Sequence, residues 1–311
     1  MAQTLVTGAA GFIGRALCDR LVKCGHGVLG VTRRPAEPIP GCELRLLGDI
    51  GPHTHWSEHL AGVELVFHLA NRAHSQVRNG VRSDEVEAAA TLARAAAKAG
   101  VRRLVYMSSV RAMGAATAPG APFRSADTPR PRDAYGRGKL AIERGLQSAA
   151  RASGLELVIL RPPLVYGPGV KGNFRTLLRL VASGLPLPFG GIDNLRSYIF
   201  RDNLVDLVAY ASIFPLAPGR VLLARDAADL STPELIRLLA AGLGLPAQLF
   251  ALPASVTMMF RQLPMVRAVI DSLTESLQVD DSETRAVFGW HPSTPPDIAL
   301  MQTARSFRER S

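Results

Sequence analysis

Cysteine is scarce. Cys18, Cys24 and Cys42 are the only three in 311 residues. They are odd in number and show no paired spacing, which excludes a disulfide framework or a thiolate metal site and fits the reducing cytoplasm. Aromatic residues are few, at 6%. The 36 Lys and Arg, against 26 Asp and Glu, are spread along the chain rather than gathered in a run. The net charge of +10 therefore comes without the basic stripe or the stacking platforms of a nucleic-acid binder, and phosphorylated small ligands are the expected anionic partners. No uncharged apolar run approaches the roughly 20 residues of a membrane span. Met1 to Val6 lack a charged region followed by an apolar core, so no signal peptide is expected. His53, His55 and His59 lie in a polar Gly/Pro stretch that reads as a solvated loop, and no metal is expected. Met258, Met259, Phe260 and Val266 suit a core or domain-interface helix better than a lipid-facing patch.

What is present is a globular composition, 47% hydrophobic and 20% charged, in a chain long enough for one large α/β unit or two modest domains. Thr4-Leu5-Val6-Thr7 reads as a strand, followed at once by Gly8-Ala9-Ala10-Gly11-Phe12-Ile13-Gly14 and a helical pattern through Leu17, Leu21 and Val22. Strand, glycine loop and helix in that order form the setting of a dinucleotide pyrophosphate site. Gly8 permits the turn, Gly11 close backbone approach, and Gly14 close packing of helix on strand. Gly27 to Thr32 is the expected second strand. Its end carries Arg33 and Arg34 where a ribose-binding acid is usual, which favours NADP, with NAD as the alternative. Leu44 to Leu47 is the expected third strand, and the following Asp49 is placed to touch the adenine side or else to cap the next turn. Leu65 to Ala70 and Leu104 to Met107 are apolar strands joined by an alanine-rich helix from Val86 to Lys98. Ser108 and Ser109 end the latter strand, where open α/β sheets place ligands.

Tyr135 and Lys139 are four residues apart at the start of a predicted helix, hence on one face. An ammonium there is expected to lower the phenol's pKa from about 10 and make a proton donor and acceptor for an alcohol/ketone pair. Gly136 and Gly138 weaken this helix, so tertiary contacts are expected to hold its first turn.

Taken in order, Thr7 to Gly14, Gly48-Asp49-Ile50, His68-Leu69-Ala70, Ser108-Ser109, Tyr135 to Lys139 and Arg161 to Gly169 resemble the extended short-chain dehydrogenase/reductases, the nucleotide-sugar epimerases, dehydratases and ketoreductases. The resemblance covers nearly the whole chain. It implies a Rossmann-type doubly wound parallel sheet with a smaller C-terminal α/β substrate domain. Residues 1–165 and a returning segment 196–215 would form the first, and 166–195 with 216–311 the second. It implies cofactor contacts from Gly8, Gly11, Phe12, Ile13, Gly14, Arg33, Arg34, Asp49, Ile50, Leu69, Ala70, Tyr135 and Lys139. Tyr135 would exchange the proton, Lys139 hold the nicotinamide ribose, Ser109 polarise the carbonyl, and Asn173 and Arg196 hold the diphosphate of a nucleotide sugar, UDP-linked by the same resemblance.

The dehydratase subgroup has an Asp-Glu pair where this chain has Val110 and Arg111, so elimination of water is not expected. Glu85, Asn71 and Gly138 depart from the family's usual asparagine, alanine and serine. The resemblance implies NADPH-dependent reduction of a UDP-4-keto-6-deoxy-N-acetylhexosamine for surface polysaccharides, by a cytoplasmic homodimer. A 4-epimerase with retained NAD(P) and a non-catalytic dinucleotide-binding protein stand beside it as alternatives.

Overall fold

In the computed structural model the described residues are 3–71, 83–118, 120–252, 271 and 273–310. Met258, Met259, Phe260 and Val266 lie outside them. The strands form where apolar and β-branched residues run unbroken, because both faces of a parallel sheet are covered. In chain order the elements are β1 (Gln3–Thr7), α1 (Phe12–Lys23), β2 (Gly27–Thr32), β3 (Cys42–Leu46), α2 (Ser57–Leu60), β4 (Val63–His68), α3 (Ser83–Lys98) and β5 (Arg103–Met107). They continue with a 3₁₀ turn (Val110–Ala112), α4 (Ala134–Ser153), β6 (Glu156–Arg161), β7 (Leu164–Tyr166), α5 (Gly172–Ala182), β8 (Tyr198–Phe200), α6 (Arg201–Ile213) and β9 (Val221–Leu223). The described elements close with α7 (Thr232–Leu243), α8 (Ser282–Phe288) and α9 (Pro296–Arg308).

Seven strands form one parallel sheet in the order β3-β2-β1-β4-β5-β6-β9, with the reversal between β1 and β4. Strand alternation divides its side chains between two cores. Val105 and Met107 face α1 and α6 through Leu17, Leu21, Leu204 and Val208. Leu104 and Tyr106 face α3 and α4 through Leu92, Ala96, Ile142 and Leu146. A third core, centred on Tyr166, Phe174, Leu239 and Leu300, belongs to α5, α7, α9 and the separate parallel pair β7-β8.

One expected boundary is corrected. Residues 216–311 do not all leave the nucleotide-binding part, because Val221–Leu223 is the seventh strand of its sheet, paired with β6. Phe288 and Trp290, just beyond it in the fold, are buried in the core against α1 and α6. The three-residue β9 has too short an apolar pattern to be read as a sheet strand from sequence.

Candidate active site

The first βα turn is built for close backbone approach. Gly8 has φ +73°, and a Cβ there would lie 2.9 Å from the Ala70 nitrogen. A Cβ on Gly14 would lie 2.1 Å from the Gly8 oxygen, so only glycine lets α1 meet the turn. Gly11 caps α1 without any side-chain cap, and no acid stands in the first turn. The helix N-terminus thus keeps its amides and positive dipole end for an anion. These observations fit a dinucleotide pyrophosphate. Ile13 packs into the sheet core, whereas Phe12 turns to the third core and lies under Arg201, 5.3 Å from its ring centroid.

A groove runs from this turn along the sheet's carboxyl edge, lined among others by Gly8, Arg33, Asp49, Ile50, Ala70 and Glu85. Arg33 reaches Asp49 at 3.9 Å, both exposed, so this end of the groove holds a guanidinium with a carboxylate facing it. That acid follows β3 rather than β2, as the sequence places it. Arg34 is exposed and is not among the groove's lining residues. Leu69 is packed on the core and its amide, like that of Ala70, donates to Thr7 Oγ1 at 3.1 Å. With its oxygen so occupied, the Thr7 hydroxyl gives its one proton to His68 Nδ1 at 2.8 Å, placing the imidazole hydrogen on Nε2. Burial, with Lys139 nearby, drives the His68 pKa down to about 3, so this ring is neutral.

Ser109, two residues past β5, caps the 3₁₀ turn, its Oγ accepting from the Arg111 nitrogen at 3.2 Å. Asp133 caps α4 by accepting from the Gly136 nitrogen at 2.7 Å, and Tyr135 and Lys139 follow on the first turns. Lys139 is buried, and its Nζ donates to the Met107 carbonyl at 2.9 Å and the Tyr106 hydroxyl at 3.2 Å. It also lies 4.9 Å from the centroid of the Tyr106 ring. Desolvation pulls the Lys139 pKa down to about 8, while Glu143 and Glu85 act to keep it charged.

The expected depression of the Tyr135 pKa is corrected. Burial of the phenol's surroundings raises it, hydrogen bonding with Ser109 and Asn71 opposes the rise, and Asp133 and Arg111 act in opposite senses. Lys139 is turned to the end of β5 instead. Tyr135 is therefore a neutral proton donor at physiological pH, the residue as a whole being 41% exposed.

Behind the site lie residues that sequence reasoning did not single out. Glu143, one turn past Lys139, is 1% exposed, accepts from Arg161 Nε at 3.0 Å and Nη2 at 2.5 Å, and takes the Ser108 hydroxyl. The Tyr135, Lys139, Glu143 spacing of four carried that signal, since all three share a helix face. Arg196 is buried, with Nη1 donating to the Glu275 carbonyl at 2.8 Å, and feels the charge of Arg111. Asn173 sits exposed on the first turn of α5 and makes no hydrogen bond among the described residues. The structure thus brings Ser109, Tyr135, Lys139 and, through Arg111, Arg196 to one region, and leaves Asn173 outside the hydrogen-bonded set. Among the described residues no group of three or more His, Cys, Asp or Glu could hold a metal ion, and no helix is long and apolar enough to cross a membrane.

A model of the NAD dependent epimerase/dehydratase family matches residues 4–216. A UDP-glucose 4-epimerase of Vibrio cholerae is 38% identical over 311 residues, spanning 97% of this chain and 94% of that protein. A UDP-glucose 4-epimerase of Mycolicibacterium smegmatis is 30% identical, spanning 99% of each. Among solved structures, MoeE5 in complex with UDP-glucose and NAD is 27% identical and matches with a TM-score of 0.79 over 99% of both chains. A family model covering most of the chain, a full-length relative at 38% identity and the dinucleotide-shaped turn agree: the chain belongs to the NAD dependent epimerase/dehydratase family, enzymes of the extended short-chain dehydrogenase/reductase type.

Proposed function

We propose that this enzyme is a UDP-hexose 4-epimerase working on a bound nicotinamide dinucleotide. The observation that carries the reading is a single phenol hydroxyl, Tyr135, hydrogen-bonded with Ser109 and one helical turn before Lys139, at the carboxyl edge of the sheet beside the groove at Gly8. One such group serves both directions of an oxidation and reduction at one carbon, and elimination would need a further acid/base pair that Val110 and Arg111 do not provide. Full-length similarity to proteins named UDP-glucose 4-epimerase supports the choice of substrate.

When bound, the dinucleotide supplies reversible hydride transfer at the sugar carbon. Gly8, Gly11 and Gly14 would hold its pyrophosphate, Arg33, Asp49 and Ile50 its adenosine end, and Lys139 its nicotinamide ribose. In the oxidation the phenolate form of Tyr135, a minor form given its raised pKa, would take the proton from the sugar hydroxyl, and the phenol so formed would return it on reduction. Ser109 donates to the same oxygen, because its own oxygen already accepts from the Arg111 amide. Arg196 binds the diphosphate and Asn173 joins it there.

Incubating the purified protein with UDP-glucose and NAD and following UDP-galactose by NMR tests this reading. Interconversion without net change in absorbance at 340 nm is expected. A second reading, reduction of a 4-keto nucleotide sugar by NADPH, rests on Arg33 and Arg34 at the end of β2. It predicts one NADPH consumed per sugar reduced and no interconversion of UDP-hexoses.

A further inference from the structure

Ser109 caps the 3₁₀ turn that follows β5 and Tyr135 lies on α4, with the long loop 113–133 between turn and helix. No β ladder or helix joins them directly, and yet proton transfer requires their hydroxyls at a fixed separation. We propose that Arg111 and Asp133 form a clamp that sets Ser109 and Tyr135 against each other, making both positioning residues of the reaction. The proposal rests on the reading of Ser109 and Tyr135 as the groups that meet the sugar oxygen.

Five contacts converge on the pair. The Arg111 nitrogen donates to Ser109 Oγ at 3.2 Å and fixes that hydroxyl's direction. Arg111 Nε donates to Asp133 Oδ2 at 3.0 Å, and Nη2 donates to the same oxygen. The other carboxylate oxygen, Oδ1, accepts from the Gly136 nitrogen at 2.7 Å, one residue past Tyr135. Finally, the Arg111 carbonyl lies flush against Gly136, where a Cβ would stand 2.2 Å from that oxygen. One arginine thus touches the serine with its amide and the tyrosine's helix with its carbonyl and its guanidinium.

The two side chains are 38% and 32% exposed, so the ion pair adds little to stability by itself. That separates a positioning role from a merely structural one. The charges around the phenol supply a second readout: Arg111 lowers the Tyr135 pKa and Asp133 raises it, beside the hydrogen bonds of Ser109 and Asn71.

The test uses Arg111→Met, Arg111→Lys, Asp133→Asn and the Met/Asn double variant in the full-length protein. Asparagine still caps α4, which keeps the helix formed. Each single charge-removing variant is expected to lose about ten- to a hundredfold in kcat for UDP-hexose, with KM within about threefold and an unchanged melting temperature. The double variant is expected to lose no more than the worse single one, and Arg111→Lys to recover part of the loss. By carbon NMR of ring-labelled tyrosine, with the Tyr135 signal assigned by Tyr135→Phe, its ionisation is expected to move to higher pH in Arg111→Met and to lower pH in Asp133→Asn. Unchanged kcat in folded Arg111→Met, or losses that multiply in the double variant, overturns the clamp. If the wild-type protein turns over no UDP-hexose, the functional reading fails instead. Crystal structures of the two single variants then decide the clamp, and a Ser109–Tyr135 hydroxyl separation unchanged in both overturns it.

Discussion

Tyr135 and Lys139 divide the work differently from what their spacing suggested. A spacing of four places both on one helix face, but it cannot say what the ammonium will meet. In the fold the end of β5 offers the Met107 carbonyl and the Tyr106 hydroxyl, and a buried ammonium needs such acceptors more than a half-exposed phenol does. Tyr135→Phe removes the proton donor and is expected to cut kcat by about 10² to 10⁴ while dinucleotide binding stays; fluorescence titration alongside turnover checks both. Lys139 is faced by Glu143 from its own helix, Glu85 from α3, and neutral His68 and Tyr106 from the sheet. With a pKa lowered to about 8, it is charged below that pH and loses its charge as pH rises through it. Affinity for the dinucleotide, measured across pH 6 to 10, is therefore expected to fall on the alkaline side of about 8. Lys139→Arg is expected to remove that limb, because a guanidinium stays charged there.

The glycines of α1 and α4 show how element boundaries were written in the sequence and where the writing stopped. Gly8, Gly11 and Gly14 stood between a strand and a helix, and the pattern named a dinucleotide turn because the required backbone approach excludes any Cβ. Gly14→Ala would put a Cβ 2.1 Å from the Gly8 carbonyl and is expected to destabilise the protein by about 1–3 kcal/mol by urea unfolding. Gly136 and Gly138, by contrast, are alike to any propensity scale. Gly136 lies against the Arg111 carbonyl, but a Cβ on Gly138 meets nothing within 4 Å. Gly138→Ala is therefore expected to stabilise by about 0.5–1 kcal/mol with activity kept, and Gly136→Ala to lower kcat. Only tertiary contact separates the two, so their difference was not legible beforehand. The Arg111–Asp133 contact was hidden for the same reason, its partners lying on either side of a loop without periodicity.

Across the whole molecule, the parallel order β3-β2-β1-β4-β5-β6 was foreshadowed by apolar runs alternating with helical patterns, which right-handed crossovers convert into a doubly wound sheet. β9 and the return of Phe288 and Trp290 to the core of α1 and α6 were not, because short segments that pack late in the chain carry no period of their own. The Glu143–Arg161 pair ties α4 to β6 in the interior. Breaking it with Glu143→Gln leaves a buried guanidinium uncompensated and is expected to cost about 3–5 kcal/mol, measured as urea unfolding. The central claim is that one carbon is oxidised and re-reduced within a single site organised around Tyr135. Its most direct test follows UDP-glucose carrying deuterium at C4, incubated in ordinary water with and without added NADPH. The account predicts UDP-galactose that keeps its deuterium at C4, formed at a rate indifferent to NADPH and cut by about 10² to 10⁴ in Tyr135→Phe. Absence of interconversion, together with stoichiometric loss of NADPH on a 4-keto sugar, would contradict it.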